Sequence, residues 1–268
     1  MVDKTSTLCY NVLLQGELQM VKDSFKDILR HTHGLSFISD AKITGDSEEG
    51  VTRIEAMGEN RSVVLIGELT NKLDALDTHI VGLHRMGVLN GYINGPMFDT
   101  KDASIDIVKQ NRGGNDIPTE IKFNSNSGHT AFYRFMGEDA AKEIQIPVFK
   151  GSTWDVTIEP TKQNLQDMTF FSGILGAYEP TFEVNLVDGE LTFNIGTGAS
   201  DRSVVPIASK VEGELTTKHH FPLAEVLSIL KLSENEKCTM QFAEVGCIQL
   251  TIDSGIGTYK YIIPAKMR

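Results

Sequence analysis

Lys22, Lys26, Arg30 and His33 recur at steps of four, four and three. At about 100° per residue these steps place the four side chains on one stripe of a helix. Asp23 and Asp27 fall on the other flank. The chemistry open to such a stripe is anion binding. Three other helix-like segments lean the same way: His84 and Arg85 with no acid nearby, Lys162 near the start of a third, and Lys218-His219-His220 leading into a fourth that ends at Lys231. The windows 17–33, 80–94, 161–177 and 218–231 hold seven Lys/Arg against five Asp/Glu, a net of +2, which leaves −13 for the rest of a chain whose total is −11. One solvated helix carries lysines without any ligand; four with the same bias do so less readily. A modestly basic surface of this kind could track phosphates without reading bases, although net acidity alone argues against nucleic acid.

Other chemistry finds little support. Gly196-Thr197-Gly198-Ala199-Ser200 looks like part of a phosphate loop, but RSVVPIA follows it, a strand-like run where a phosphate cradle needs a helix N-terminus. The pairs His31/His33 and His219/His220 have no carboxylate-rich neighbourhood in sequence, and neither a Gly-x-Ser-x-Gly elbow nor a His-Glu-x-x-His motif occurs. Cys9, Cys238 and Cys247 form an odd, sparse set with no Cys-x-x-Cys pair, which implies a reducing cytoplasmic setting, no disulfide framework and no zinc. No metal, no cofactor and no catalytic residue is expected. The opening MVDKTSTLCYNVLL does not read as a signal peptide, and no apolar run reaches the roughly 18–20 residues of a membrane span.

The elements that must position the cations alternate in a regular way. Leu18, Val21, Phe25, Ile28 and Leu29 give an apolar helical face over about 17–33, closed by Gly34. The strand-like runs SFISDAKI, VTRIEAM and RSVVLIGEL follow. A second helix is expected over 80–93, made poor by Gly82, Gly87 and Gly91, and is followed by ASIDIVKQN, PTEIKFN and HTAFYRFM. A third opens at Thr161, a good N-cap after Pro160, and is followed by TFEVNLV, ELTFNIG and RSVVPIA. Asp188-Gly189 marks a type I′ hairpin between the first two of these strands. A fourth opens with Pro222 in its first turn and is followed by CTMQFAE, CIQLTID and TYKYIIP. One unit, a helix and about three strands, therefore occurs four times. Two units per domain give domains of 1–140 and 141–268, connected through about 136–152, MGEDAAKEIQIPVFKGS.

In this order of elements the chain resembles the DNA sliding clamps of the eukaryotic (PCNA) and phage types. RIEAMGENRSVVLIGEL (53–69) resembles the two central strands of the first clamp domain, with Met57 at the turn. VGLHRMGVLNGYI (81–93) is similar to the second clamp helix. FPLAEVLSILKL (221–232) and CTMQFAEVGCIQLTIDSGIGTYKYIIPAKM (238–267) resemble the final helix and strands. The closing Lys260-Tyr261-Ile262-Ile263-Pro264-Ala265-Lys266-Met267 is similar to the clamp ending Lys-Tyr-Tyr-Leu-Ala-Pro-Lys-Ile, with Pro and Ala exchanged. The connecting segment is short, and the helices carry fewer cations than many clamps.

The resemblance implies an α+β fold of two similar clamp (processivity-fold) domains, each with two helices packed on antiparallel sheets. It implies a closed homotrimeric ring with the helices inside, no active site, double-stranded DNA through the hole, and a DNA polymerase tethered by a short peptide. An ATP-dependent clamp loader would open the ring. Lys22, Lys26, Arg30, Arg85, Lys162 and Lys218 would face phosphates. Phe132 and Val205 would lie on the paired edge strands of the joint. Met57, Ile144, Ile146, Pro147, Ile262, Pro264 and Ala265 would line an apolar groove for the partner peptide, in which the flexible Met thioether suits varied ligands. The competing reading is a β-rich structural or assembly protein of a phage or virus, also acidic and self-associating.

Overall fold

The computed structural model describes residues 19–266. Cys9, Glu17, Leu18, the strand-like CYNVLL and Met267 lie outside the described residues. Two compact units divide the chain: the described residues up to 55 with 68–145, and 56–67 with 146–266.

In the first unit a helix, α1, covers 19–31. The strands β1 (Ala41–Asp46), β2 (Val51–Met57) and β4 (Ile80–Leu83) follow, then α2 (Met86–Ile93); β3 (Val64–Leu69), between β2 and β4 in the chain, falls mostly in the second unit. β5 (Ser104–Arg112), β6 (Asn115–Asn124), β7 (Thr130–Arg134) and a five-residue helix, α3 (Glu138–Lys142), complete the first unit. The strands run β4-β1-β2 in one sheet and β5-β6-β7 in another, which leaves β7 an edge. β2 buries Thr52, Ile54 and Ala56 in strict alternation, the two-residue period that made VTRIEAM legible. The core between helix and strands is aromatic: Phe25 meets Phe135 at 6.3 Å, and Tyr133 meets Phe135 edge-on at 6.2 Å.

The expected helix over 80–93 is two elements. β4 pairs with β1, Ala41 opposite Leu83, and the helix starts only at Met86. Arg85, at φ 49°, makes the break. The apolar run continues through both elements, so its composition shows no seam. The buried Tyr133 hydroxyl fixes the corner by accepting from the His84 amide at 3.0 Å and donating to the His84 carbonyl.

The second unit contains β8 (Val156–Ile158), α4 (Lys162–Leu175), β9 (Thr181–Val187), β10 (Glu190–Ile195) and β11 (Ser203–Ala208). It continues with β12 (His220–Pro222), α5 (Leu223–Leu232), β13 (Lys237–Ala243), β14 (Cys247–Asp253) and β15 (Gly257–Pro264). One sheet runs β11-β10-β9-β12; in the other, β3 joins the order β3-β15-β14-β13-β8. Asp188 and Gly189 have φ of 50° and 79°, the two left-handed residues a type I′ hairpin requires, and Val187 pairs with Glu190 across them. Thr161 caps α4 in a reciprocal box: its hydroxyl accepts from the Asn164 amide at 3.1 Å, and Asn164 Oδ1 accepts from the Thr161 amide at 2.9 Å. Asn164 Nδ2 also donates to the Ile207 carbonyl at 3.0 Å, which fastens α4 to β11. Pro222 is the residue before α5 rather than part of its first turn. Phe182, Phe193, Phe221 and Phe242 stack through the core at 4.6–6.0 Å.

The repeat is richer than the sequence shows. A short strand precedes three of the helices: β4, β8 and β12. Strands of three or four residues are too brief to display alternation. The structure thus has antiparallel sheets with few helices, two helices of the repeat to each unit.

Candidate functional site

The cations of α1 are graded by their rotation round the helix. Lys22 is 6% exposed, Lys26 is half-buried and Arg30 is exposed. A step of four residues turns 400°, so Lys22 and Arg30 stand about 80° apart, and the stripe drifts from the core side to solvent. The expectation that Lys22 faces phosphate is therefore corrected. Its ammonium donates to the Phe98 carbonyl at 3.0 Å and pairs with Asp99 at 3.1 Å. Lys26 pairs with the same carboxylate at 2.6 Å. Lys26 first, then Lys22, hold the Asp99 carboxyl below the usual carboxylate range.

Arg85 is exposed at the head of α2. Lys162 is exposed at the start of α4 and donates to Asn235 Oδ1 at 3.1 Å. Lys218 does not join it. Its ammonium pairs with Glu183 at 3.2 Å. Glu183 alternates with the buried Phe182 and Val184, so Lys218 lies on the solvent face of the β9–β12 sheet, away from the core that α4 and α5 cover. Proximity to α5 in sequence did not place it on that helix.

Among the described residues β7 is an edge of its three-stranded sheet and β11 an edge of its four-stranded one. Phe132 on β7 is 52% exposed. Val205 is 1% exposed, because its register opposite Phe193 turns it into the core; the outward residue is Val204, 57% exposed. In Ser-Val-Val-Pro-Ile-Ala two adjacent valines leave the face undetermined by composition, and a shift of one residue inverts it. The helix next to each edge strand carries exposed apolar residues that sequence reasoning missed: Val88 on α2, which neighbours β7, and Phe170 and Ile174 on α4, which neighbours β11, with Tyr178 just beyond α4. Their spacing of four was visible, yet it reads equally well as a core face until burial shows Met168 and Leu175 on the other side.

The tail region is built rather than open. Ile262 is 5% exposed within β15 and opposite Gln249, so it cannot line a groove as expected. Pro264 and Pro147 are exposed, and Met57, Ile144, Ile146 and Ala265 are half-buried. The Ala265 amide donates to the Gly246 carbonyl at 2.9 Å and the Lys266 amide to the His220 carbonyl at 2.7 Å. His219 Nε2 lies 2.7 Å from the Glu244 carbonyl, and the Glu244 carboxylate accepts from the amides and hydroxyls of Thr216 and Thr217. Those donors, the hydroxyls foremost, hold the Glu244 carboxyl down at about 2. Both histidines of the 219–220 pair are thus structural. Nothing in the spacing of Thr216, Thr217 and Glu244 announced this wall.

No group of His, Cys, Asp and Glu among the described residues is arranged to hold a metal ion. Burial pushes the Cys238 and Cys247 thiols up to about 11, so neither is a ready nucleophile. The Gly196–Ser200 loop connects β10 to β11, and its Ser200 hydroxyl is tied to Glu179 at 2.6 Å. No helix among the described residues is long and apolar enough to cross a membrane.

No protein-family model matches the sequence, and no curated protein matches it. Solved structures match it in fold. A. fulgidus PCNA, bound to the C-terminal region of FEN-1, superposes with a TM-score of 0.64 at 10% identity, over 94% of this chain and 96% of that one. The proliferating cellular nuclear antigen of Entamoeba histolytica gives 0.61 at 10% identity, over 94% and 96%. The PCNA2–PCNA3 complex of Sulfolobus tokodaii gives 0.62 at 11%, over 93% and 97%. Nearly end to end, and with almost no identical residues to guide the match, the chain has the fold of the PCNA sliding clamps.

Proposed function

We propose that the protein is a DNA sliding clamp: a homotrimeric ring that encircles duplex DNA, slides on it, and tethers a DNA polymerase and other replication proteins without chemistry of its own. The observation that carries this reading is the near-complete PCNA fold, joined to two sheet edges that pair with no further strand among the described residues, each beside a helix with exposed apolar side chains. Free edges beside apolar surface seek strand partners. A β7 edge on one copy and a β11 edge on the next form a heterologous joint that closes when the rotation suits. Phe132, Val204, Phe170, Ile174 and Tyr178 would be covered there, each large side chain contributing about 1.5–3 kcal/mol when fully buried.

Lys26, Arg30, Arg85 and Lys162 remain the phosphate-facing candidates, and their modest number suits a grip that permits motion. The partner peptide would dock beside Met57, Ile146, Pro147, Pro264 and Ala265, over the wall that Glu244 and His219 support. One relative's structure holds a partner's C-terminal region, which makes peptide capture a reasonable mode for this chain. An ATP-dependent loader would open the ring.

Three measurements test the reading. Light scattering should give three times the 29.5 kDa chain mass. The loaded protein should be retained on closed circular DNA and lost when the circle is cut. A monomer with no dependence on DNA topology refutes it and returns the structural-protein alternative. Removal of residues 264–268 should abolish polymerase stimulation while the trimer persists.

A further inference from the structure

Just after α2 the chain folds back on itself. The amides of Phe98 and Asp99 both donate to the Gly95 carbonyl, at 2.9 and 2.8 Å. A side chain at Gly95 would lie 2.7 Å from the Gly91 carbonyl, so this close return needs glycine. Phe98, 7% exposed, is wedged against Tyr92 and Phe123 at ring distances of 6.3 and 5.7 Å. Its carbonyl receives the Lys22 ammonium, and the next residue, Asp99, reaches both Lys22 and Lys26. The carboxylate is therefore held in place by a tight turn and an aromatic anchor, and its position does not depend on its own rotamer alone.

We propose that Asp99 is an internal counter-anion that competes with DNA phosphates for Lys26, so that the grip of this surface on a duplex is set below what its cations would give. The inference rests on the clamp reading, which turns α1 toward DNA. Lys26 keeps 30% of its side chain exposed, and Asp99 keeps 42%. An ion pair so exposed is weak enough to exchange. Lys22 is different. At 7% side-chain exposure, with the Phe98 carbonyl as a second acceptor, it has no path to a phosphate. Removing the Asp99 charge should accordingly release one cation, not two. Each phosphate neutralised adds about 0.9 to the slope of log K against log salt on B-form DNA.

The test is titration of a short duplex into the full chain across a salt series. Asp99→Asn should bind more tightly at low salt, with a slope steeper than wild type by about 0.9. Adding Lys26→Gln to it should remove the gain. Because Asp99→Asn leaves the buried Lys22 without its carboxylate, Lys22→Met/Asp99→Asn serves as a second variant that removes the stranded charge; it should show the same steeper slope. Wild-type slope in both variants, with wild-type binding still reduced by Arg85→Gln and Lys162→Gln, overturns the inference and leaves the clamp reading standing. If the wild-type protein shows neither salt-dependent binding nor retention on circular DNA, the clamp reading fails, and the inference with it.

Discussion

α1 and α4 hold equivalent places in the repeat, and they present different chemistry. α1 shows a graded row of cations, two of them tied to a carboxylate delivered by a distant turn. α4 shows one lysine at its start, then Gln163 and Gln166, and ends in an exposed apolar row, Phe170, Ile174 and Tyr178, with Phe170 edge-on to Phe171 at 5.2 Å. They are not buried alike: α1 buries Lys22, Ser24, Phe25, Asp27, Ile28, Leu29 and His31, whereas α4 buries only Asn164, Met168 and Leu175. The faces left free differ as well. The first is suited to a solvated polyanion. The C-terminal half of the second is suited to another protein surface. Equivalent position in a repeat thus fixes neither the depth of packing nor the outward chemistry.

The sharpest way to break this contrast is to charge the apolar row. Phe170→Glu/Ile174→Glu should convert the proposed trimer to monomer in light scattering with little change in the fold, since both residues are already exposed in one chain. Arg30→Glu, the matched change on α1, should leave the mass unaltered. Equal effects from the two would abolish the distinction.

A second difference lies beneath the surface. His31 of α1 is fully buried, and burial foremost, with the Arg30 charge, lowers its pKa to about 3. The folded state therefore binds fewer protons than the unfolded chain between pH 6.5 and about 3. Stability should fall as pH drops through that window, by at most about 1.4 kcal/mol per pH unit from this group. Denaturant melts of wild type and His31→Gln between pH 7 and 4 should converge as the pH falls, since the variant lacks this term. Parallel curves would show that His31 is not the source.

Smaller effects are expected at the ends of the elements. Thr161→Ala removes one half of the capping box on α4 and should cost about 1 kcal/mol, a few degrees of Tm. An unchanged Tm would mean that Asn164, through its bond to the Ile207 carbonyl, carries the cap alone. Smallest of all, Arg30→Gln should lower the salt slope of duplex binding by about 0.9. A sequence-selective loss would contradict a phosphate contact.

Several of these features could be read before any coordinates. Thr161 announced its helix because a hydroxyl before a polar first turn has few other roles. Asp188-Gly189 announced its hairpin because two left-handed residues are needed there. β2, β10 and the first half of β9 were legible because one face of each is buried and the alternation survives. Helical spacing put Lys26 and Arg30 on one stripe, and both are half-buried or exposed, but the same spacing included Lys22, which is buried.

What the residues determined by themselves was local: periods, caps, turns and the order in which they repeat. These depend on interactions within a few residues, and their order along the chain carried the resemblance from which the fold class and the two edges were expected. Only the tertiary structure decided which of Val204 and Val205 points outward, because that choice belongs to the register with β10. Only it buried Lys22 and supplied Asp99, a residue 77 positions away from it in the chain. It also moved Lys218 to an outer sheet face through Glu183, and it gave the segment 56–67 to the second unit. Each of these outcomes is set by a partner far away in sequence, and spacing along the chain carries no record of such partners.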